Sequence, residues 1–258
     1  MKAVILAGGL GSRLSEETHN KPKPMVEIGG KPILWHIMKI YASHNIKEFI
    51  ICCGYKGYKI KQYFKNYSKK NSNIKINYTD DHLEIKNNNK KETWNVKLVN
   101  TGLKTLTGGR LKRVSKYLKK DELFFFTYGD GVAKLNMQNQ IKFHKKNKKI
   151  CTVLGVRPPS RYGALEINKN GKVRNFDEKP KTGEGYINGG YFILSPKCFK
   201  YISGDNSVWE TNVLSKLVKI NQMMAFTKYD FWHPMDTKRD KNVLEKMWKK
   251  KPPWKNWI

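Results

Sequence analysis

A glycine-rich segment near the start of the chain constrains both its fold and its chemistry more than any other feature. Residues 3–6 form a short apolar run typical of a buried strand, and positions 7–13 then read AGGLGSR. Glycines let backbone N–H groups approach a ligand closely and point inward together, which suits an anion. Arg13 adds a planar set of donors that matches phosphate oxygens. The segment therefore predicts a strand that ends in a phosphate-binding loop.

Two lysines follow this loop, Lys21 and Lys23, and each is fixed beside a proline. The dinucleotide-binding fingerprint is excluded because Leu14 stands where its third glycine is required, and the P-loop is excluded because its Gly-Lys-Ser/Thr is missing. The glycines alone would equally fit a tight strand-to-helix turn without a ligand. Together with Arg13 and the two lysines, they favour a nucleoside triphosphate.

Strand-like apolar runs alternate with amphipathic segments through the first two-thirds of the chain. Strands are predicted over 3–7 and 49–54, and a helix over 32–43 begins with proline, where a helix tolerates it best. Such alternation favours βαβ units on a mostly parallel sheet. Ligands bind such sheets at the carboxyl ends of the strands, where the glycine-rich loop lies. Shorter predicted strands follow from residue 151, and 206–220 is predicted as a helix.

Asp130 stands between two glycines, directly after a predicted strand over 123–127. An ordinary Asp-Gly turn is one interpretation. Because the residue follows a central strand, it also belongs to the edge of the sheet where ligands bind. Beside the glycine-rich loop, this position favours a metal ligand.

The formal net charge of +30 raises nucleic acid or a membrane surface as a partner. The lysines are scattered along the whole chain, however, which favours a compositional bias over a binding stripe. The four cysteines show no metal-ligand spacing, and no run approaches the roughly 18 apolar residues of a membrane helix. The apolar run at the N-terminus is too short for a signal peptide. We therefore expect a cytoplasmic protein that binds neither nucleic acid nor membrane.

The segment LAGGLGSRL at 6–14, followed by PKPM at 22–25, resembles the signature of the sugar-phosphate nucleotidyltransferases. Further matches at 26–36, 52–58, 107–113, 128–132 and 234–237 extend this resemblance over nearly the whole chain. The resemblance implies an α/β fold with a Rossmann-like, mostly parallel mixed sheet flanked by helices and a smaller β-rich sugar-binding portion. It also implies one domain over 1–258, with a nucleotide-binding part at about 1–150 and a sugar-phosphate-binding part at about 151–258.

The later motifs resemble a subfamily that joins CTP and glucose 1-phosphate to give CDP-glucose and pyrophosphate. That resemblance implies Mg²⁺ as cofactor, a homo-oligomer (trimer or hexamer), and a supply of sugar nucleotides for surface polysaccharides. Side chains alone do not select the base or the sugar, so the same reaction with another nucleotide (dTTP or UTP) or another sugar phosphate is an alternative. A nucleic-acid-binding protein and a non-catalytic relative are the alternatives from other classes.

The same resemblance implies the roles of individual residues. Arg13 and Lys23 would hold the phosphates of the nucleotide, while Asp130 and Asp236 would hold Mg²⁺, and these four are the predicted catalytic residues. Some of the predicted substrate-binding residues face the nucleotide, and the last three face the sugar phosphate. The full predicted set is Leu6, Ala7, Gly8, Gly9, Leu10, Gly11, Ser12, Arg13, Lys23, Thr105, Arg110, Gly129, Glu178, Lys179 and Asn188.

Two positions depart from the family pattern. Ser12 stands where the family mostly has threonine, and both residues offer a hydroxyl. Positions 209–214 read WETNVL where the family usually shows WExEPL, which bears on the sugar contacts. The aromatic end of the chain, 252–257, is predicted to pack on the body of the protein or on another subunit.

Overall fold

The computed structural model describes residues 1–69, 74–78, 82–87, 93–118, 123–158, 164–167, 170–177 and 185–257. These residues form fifteen strands and seven α-helices. The strands are β1 (Lys2–Ala7), β2 (Glu27–Ile28), β3 (Lys31–Pro32), β4 (Glu48–Cys53), β5 (Ile74–Tyr78), β6 (His82–Asn87), β7 (Asn95–Asn100), β8 (Phe124–Tyr128), β9 (Gly131–Lys134), β10 (Cys151–Val156), β11 (Ala164–Ile167), β12 (Val173–Asp177), β13 (Ile187–Leu194), β14 (Met223–Phe226) and β15 (Phe231–Pro234). The helices are α1 (Ser15–Thr18), α2 (Ile33–Ala42), α3 (Gly57–Lys69), α4 (Thr107–Arg113), α5 (Met137–Asn147), α6 (Ser215–Lys219) and α7 (Lys238–Lys250).

Nine of the strands form one mixed sheet in the order β14-β10-β13-β8-β1-β4-β7-β6-β5. Its centre, β8-β1-β4-β7, is parallel, whereas β13 and β6 join this centre antiparallel on either side. Ala3 and Ile5 of β1 pack into one hydrophobic cluster, and Val4 and Leu6 pack into a second. Because successive side chains of a strand point to opposite faces, the sheet is covered on both sides.

Helices cover both faces of the sheet. Leu34 of α2 and Leu244 of α7 belong to the first cluster, while Leu111 of α4 and Leu217 of α6 belong to the second. An apolar stripe on each helix thus meets one face of the sheet, which is the arrangement that stabilises α/β folds. The predicted fold class, a mixed α/β fold with a parallel centre flanked by helices, is confirmed.

Strands from the second part of the chain join the same sheet as strands from the first. β13 pairs with β8, and β10 lies between β13 and β14. Among the described residues, β11 and β12 form a separate two-stranded sheet, and β9 pairs with β15 in another. The predicted division near residue 150 therefore cuts through one continuous sheet, and it stays a prediction.

Most predicted elements of the first part lie where the sequence places them. The helix predicted over 32–43 spans Ile33–Ala42, and the strand predicted over 49–54 spans Glu48–Cys53. The polar stretch at 80–92, interpreted as a loop or hairpin, contains β6, which pairs antiparallel with β5. The rest of that stretch lies outside the described residues.

The helix predicted over 206–220 starts later than predicted, and its first part is not α-helical. A π-helix spans Trp209–Leu214, and α6 continues it to Lys219. The residues before it bind α4 instead of their own helix. Leu106 N donates to Asp205 O and Gly108 N donates to Ser207 O, each at 2.9 Å. Because these carbonyl groups are already engaged, the helical segment begins only at Trp209.

The aromatic end of the chain packs on the body of the protein, as predicted. Trp254 is fully buried, and its indole Nε1 donates to Nδ1 of His36 in α2 at 3.4 Å. Trp257 makes an edge contact with Trp35, with ring centroids 5.7 Å apart. In the described part of the chain, no helix has both the length and the apolar character needed to cross a membrane.

Candidate active site

The glycine-rich loop begins directly after β1, at the edge where the central parallel strands end. Gly8 O accepts a hydrogen bond from Tyr55 N, which follows β4, at 3.1 Å. Gly11 has a φ of 69°, in the left-handed region, and a Cβ there would meet the side chains of Thr18 and Lys23 at 3.0 and 3.1 Å. Glycine at this position therefore satisfies both the backbone conformation and the available space.

The four residues predicted to be catalytic lie together at the mouth of this loop. Lys23 is only 7% exposed, and its Nζ donates to Asp130 Oδ2 at 2.7 Å and to Asp236 Oδ1 at 2.6 Å. Arg13 Nη1 donates to the other oxygen of Asp236, Oδ2, at 3.0 Å. We call Arg13, Lys23, Asp130 and Asp236 the ionic cluster. Two cations and two carboxylates thus face one another where a phosphorylated ligand would bind.

Strand pairing brings Asp236 to Asp130. β9 follows Asp130, β15 precedes Asp236, and the two strands pair antiparallel. Met235 N donates to Asp130 O at 2.7 Å, which closes this pairing at the cluster. Thr237 then caps α7, and its side chain and the carboxylate of Asp240 form a capping box. A strand end and a helix start therefore hold Asp236 from both sides.

Two cavities open on either side of the ionic cluster. The loop cavity, of about 830 Å³, lies between the glycine-rich loop and the segment before α4. The strand cavity, of about 840 Å³, lies between β13 and the start of α7. Arg13, Tyr128 and Asp130 line both, while Lys23 lines the loop cavity and Asp236 lines the strand cavity. Both volumes suit small-molecule ligands, and two ligands would meet at the cluster.

The structure brings most of the predicted site residues to one of these cavities. Asn188 lines the strand cavity together with Asp130 and Asp236. Glu178 and Lys179, predicted to contact the sugar phosphate, lie outside the described residues. The loop cavity is lined by Leu6, Ala7, Gly8, Gly9, Leu10, Gly11, Ser12, Arg13, Lys23, Thr105, Arg110, Gly129 and Asp130.

Arg110 is held beneath the glycine-rich loop by the chain itself. Its Nη1 donates to Thr101 Oγ1 at 2.8 Å and to Gly102 O at 2.7 Å, and its Nη2 donates to Leu103 O at 3.2 Å. Burial lowers the pKa of this guanidinium below its ordinary value. A Cβ on Gly8 would overlap the guanidinium, so glycine there permits the close packing. The guanidinium of Arg110 is thus engaged by residues 101–103, and its contact with a nucleotide stays a prediction.

A hydrogen-bond network lies between the two cavities, and two of its members, Tyr128 and Glu210, are not among the predicted site residues. Tyr128 donates through its hydroxyl to Glu210 Oε1 at 2.5 Å, and Thr107 Oγ1 donates to Glu210 Oε2 at 2.8 Å. Asn188 Nδ2 donates to the Tyr128 hydroxyl at 3.1 Å. Burial, followed by the neighbouring Glu210 carboxylate, raises the pKa of Tyr128. Two sequence features could have identified these residues: Tyr128 directly precedes Gly129, and Glu210 is the glutamate that the WETNVL segment shares with the family pattern.

The donor set at the cluster fits a divalent cation. Oxygens of Asp130 and Asp236 converge on one point, because both lie within 2.7 Å of the same nitrogen, Lys23 Nζ. Among the described residues, no three His, Cys, Asp or Glu side chains form a group that could hold a metal. Magnesium needs only one or two carboxylates when waters and substrate phosphates complete its coordination.

Comparison with known proteins agrees with the geometry of the site. The profile of the family described as "Nucleotidyl transferase" matches residues 2–239. The chain is 55% identical over 258 residues to "Glucose-1-phosphate cytidylyltransferase" of Salmonella typhimurium, covering all of both chains. It is 41% identical over 259 residues to "Probable glucose-1-phosphate cytidylyltransferase" of Bacillus subtilis, again covering all of both.

A solved structure extends the comparison to the fold. The crystal structure of HddC from Yersinia pseudotuberculosis superposes with a TM-score of 0.68 at 26% identity, covering 96% of this chain and 99% of that chain. The resemblance predicted from the sequence motifs is therefore confirmed over nearly the full length. The chain belongs to the nucleotidyl transferase family.

Proposed function

We propose that the protein joins CTP and glucose 1-phosphate to give CDP-glucose and pyrophosphate. One observation carries the proposal: two cavities of ligand size share a wall and meet at Arg13, Lys23, Asp130 and Asp236. A reaction that joins two phosphorylated substrates needs this arrangement. The names of the relatives that are 55% and 41% identical support CTP and glucose 1-phosphate as the pair.

In this proposal the loop cavity holds the nucleotide. Backbone groups from Leu6 to Gly8 read the base, and the N–H groups of the glycine-rich loop face the phosphates. The side chain of Arg13 is 73% exposed, so its guanidinium can swing onto the β- and γ-phosphates of the leaving group. Lys23 lies deeper and contacts the α-phosphate, where negative charge increases during the reaction.

The strand cavity holds the sugar phosphate. Asn188 contacts the sugar hydroxyls, and the predicted partners Glu178 and Lys179 contact a hydroxyl and the phosphate. The nucleophile is an oxygen of the sugar phosphate, which is already ionised at neutral pH, so no general base is required. Catalysis is then positioning and electrostatic stabilisation, with the two substrates aligned across the ionic cluster.

Asp130 and Asp236 hold Mg²⁺ in this proposal. The bound ion would offset negative charge on the phosphates of both substrates. The carboxylates contribute the fixed part of the site, because strand pairing and the capping box of α7 orient them before any ligand binds.

The remaining expectations concern the setting of the enzyme. A cytoplasmic location is supported by four cysteines that are all free and buried. A homo-oligomer, and a role in supplying CDP-glucose for surface polysaccharides, rest on the resemblance to the family. Light scattering on the purified protein would measure the oligomeric state directly.

The test of the reaction is an assay of pyrophosphate release with glucose 1-phosphate and each of CTP, UTP, dTTP and ATP in turn. We expect the highest kcat/KM with CTP, and a higher value with UTP or dTTP would contradict the proposed base. Asp130→Asn and Asp236→Asn remove a charge without removing volume, so each should lower kcat by at least about a hundredfold. Near-full activity of either variant at saturating Mg²⁺ would contradict its role as a metal ligand.

A further inference from the structure

The ammonium group of Lys23 occupies the point where the two acidic side chains converge. Its Nζ lies 2.7 Å from Asp130 Oδ2 and 2.6 Å from Asp236 Oδ1, and its side chain is 9% exposed. The two carboxylates are 30% and 20% exposed, so both open towards the cavities while their inner oxygens bind the lysine. A short segment, Lys23–Met25, holds the lysine backbone in place with Pro24 at its second position.

A lysine ammonium and a divalent cation cannot share this point. Like charges a few ångströms apart repel strongly, and the low exposure of Lys23 leaves little water to screen the repulsion. A metal ion bound by both carboxylates therefore requires Lys23 to withdraw from at least one of them. The lysine has a flexible four-carbon stem, so its ammonium can move while its backbone stays fixed.

We propose that Lys23 and the divalent cation are alternative occupants of the space between Asp130 and Asp236. The inference rests on the metal role of the two carboxylates under the proposed function. Binding of the cation would release the Lys23 ammonium towards the loop cavity, which Lys23 also lines. Without the cation, the Lys23 ammonium would stabilise the two carboxylates. With the cation bound, the same ammonium would contact the α-phosphate of the nucleotide.

Arg13 also contacts one of the two carboxylates, but it is more exposed than Lys23. It contacts one oxygen of Asp236 at 3.0 Å, and its side chain is 73% exposed. Exposed ion pairs are screened by water and contribute little. Removal of Arg13 should therefore change the affinity for a cation much less than removal of Lys23.

The experiment measures Mn²⁺ binding to the purified protein without nucleotide, by the loss of the free-ion electron paramagnetic resonance signal. Lys23→Met keeps most of the length of the side chain and removes its charge, and we expect it to bind Mn²⁺ at least about tenfold more tightly than the wild type. Lys21→Met is the matched control, because it removes the same charge two residues away, and it should bind like the wild type. Equal affinity in Lys23→Met and the wild type, equal tightening in both variants, or no binding by any of the three would overturn the inference.

A second measurement uses the wild-type protein and does not depend on the folding of Lys23→Met. A buried, hydrogen-bonded ammonium group exchanges its protons slowly, so Lys23 should give its own ¹H–¹⁵N signal in a protein with labelled lysines. Lys23→Arg assigns that signal by its disappearance. Addition of Mg²⁺ should abolish or shift the Lys23 signal, and an unchanged signal at saturating Mg²⁺ would overturn the inference.

Failure of this inference and failure of the proposed function give different results. If the wild type makes CDP-glucose but Lys23→Met does not tighten Mn²⁺ binding, the exchange between lysine and metal is wrong and the reaction stands. If Mn²⁺ binding tightens as expected but no nucleotide is turned over with glucose 1-phosphate, the exchange stands and the substrate pair is wrong.

Discussion

Lys23 is buried although lysine is among the residues least often found inside a protein. Two carboxylates make this possible, since a buried charge is tolerated when it is paired and hydrogen-bonded. Lys21 lies only two residues earlier in the same lysine-proline run, yet it is more exposed and lies outside the ionic cluster. The structure thus places in the cluster the lysine that the family resemblance selects, and it leaves the other lysine outside.

This difference predicts different kinetics for the two lysines. If Lys23 stabilises charge that appears mainly in the transition state, Lys23→Ala should lower kcat by about a hundredfold or more and weaken CTP binding far less. Lys21→Ala should change kcat little, because it removes only a partly screened surface charge. Steady-state kinetics and a separate measurement of CTP affinity would test both. A larger loss of kcat in Lys21→Ala would mean that Lys21, and not Lys23, is the phosphate-binding lysine of the motif.

Arg110 shows what residue types alone leave undetermined. An arginine that follows two glycines near a predicted phosphate site is a reasonable ligand, and the chain brings it to the loop cavity. Only the tertiary structure reveals its bonds to Thr101, Gly102 and Leu103, because those acceptors depend on how β7 and α4 are placed. The sequence predicted that Arg110 lies near the phosphate site, whereas its hydrogen-bond partners could be identified only from the fold.

At the scale of elements, the start of α4 and the segment before the π-helix form one unit. Gly108 and Gly109 lie so close to residues 205–207 that a Cβ on either would overlap the backbone there. Thr107 Oγ1 accepts from Trp209 N at 2.8 Å and donates to Glu210. The two glycines could be predicted as helix-start residues from sequence, but their packing partner lies about one hundred residues away. Local propensity does not specify such a contact.

The hydrogen bonds of Glu210 to Thr107 and to Tyr128 predict coupling between Tyr128 and Glu210. Tyr128→Phe removes a half-buried charge-assisted hydrogen bond and Glu210→Gln removes its charge, so each should lower the free energy of unfolding by about 1–3 kcal/mol. Because both variants act on the same hydrogen bond, the double variant should cost less than the sum of the two. Urea unfolding of the four proteins would measure this. Additivity within about 0.5 kcal/mol would show that the two side chains act independently.

At the scale of the whole molecule, the C-terminal segment that follows α7 is joined to α2 through a neutral histidine. His36 Nε2 donates to Ile28 O at 2.9 Å, and His36 Nδ1 accepts from Trp254 Nε1 at 3.4 Å. A protonated ring could not accept that second hydrogen bond. Burial lowers the pKa of His36 to about 4, and burial likewise lowers the pKa of His144 to about 4.

These two histidines predict a loss of stability on mild acidification. Between about pH 6.5 and 5 the unfolded chain takes up protons at both residues while the folded protein does not, so stability falls as the pH falls. The loss should approach about 2 kcal/mol per histidine over that interval. Thermal unfolding at several pH values would measure it. His36→Gln, whose amide can both donate and accept, should lose the part of the pH dependence that comes from His36. The parts from His144 and from His44, whose pKa is also lowered by burial, should remain, and the exposed His19→Gln control should retain all of it.

The sequence by itself determined what depends on neighbours along the chain. The glycine-rich loop after β1, the alternation of strands and helices, and the lysine-proline run are local patterns with local physical causes. Only the tertiary structure decided which distant groups meet. Lys23 and Asp236 are separated by 213 positions, and the pairing of β9 with β15 places Asp236 at the cluster. The bond between Tyr128 and Glu210 spans 82 positions. Such contacts depend on the register of strands and on the docking of helices. Hydrophobic periodicity does not encode either of them, because it specifies which face of an element is buried and not which other element that face packs against.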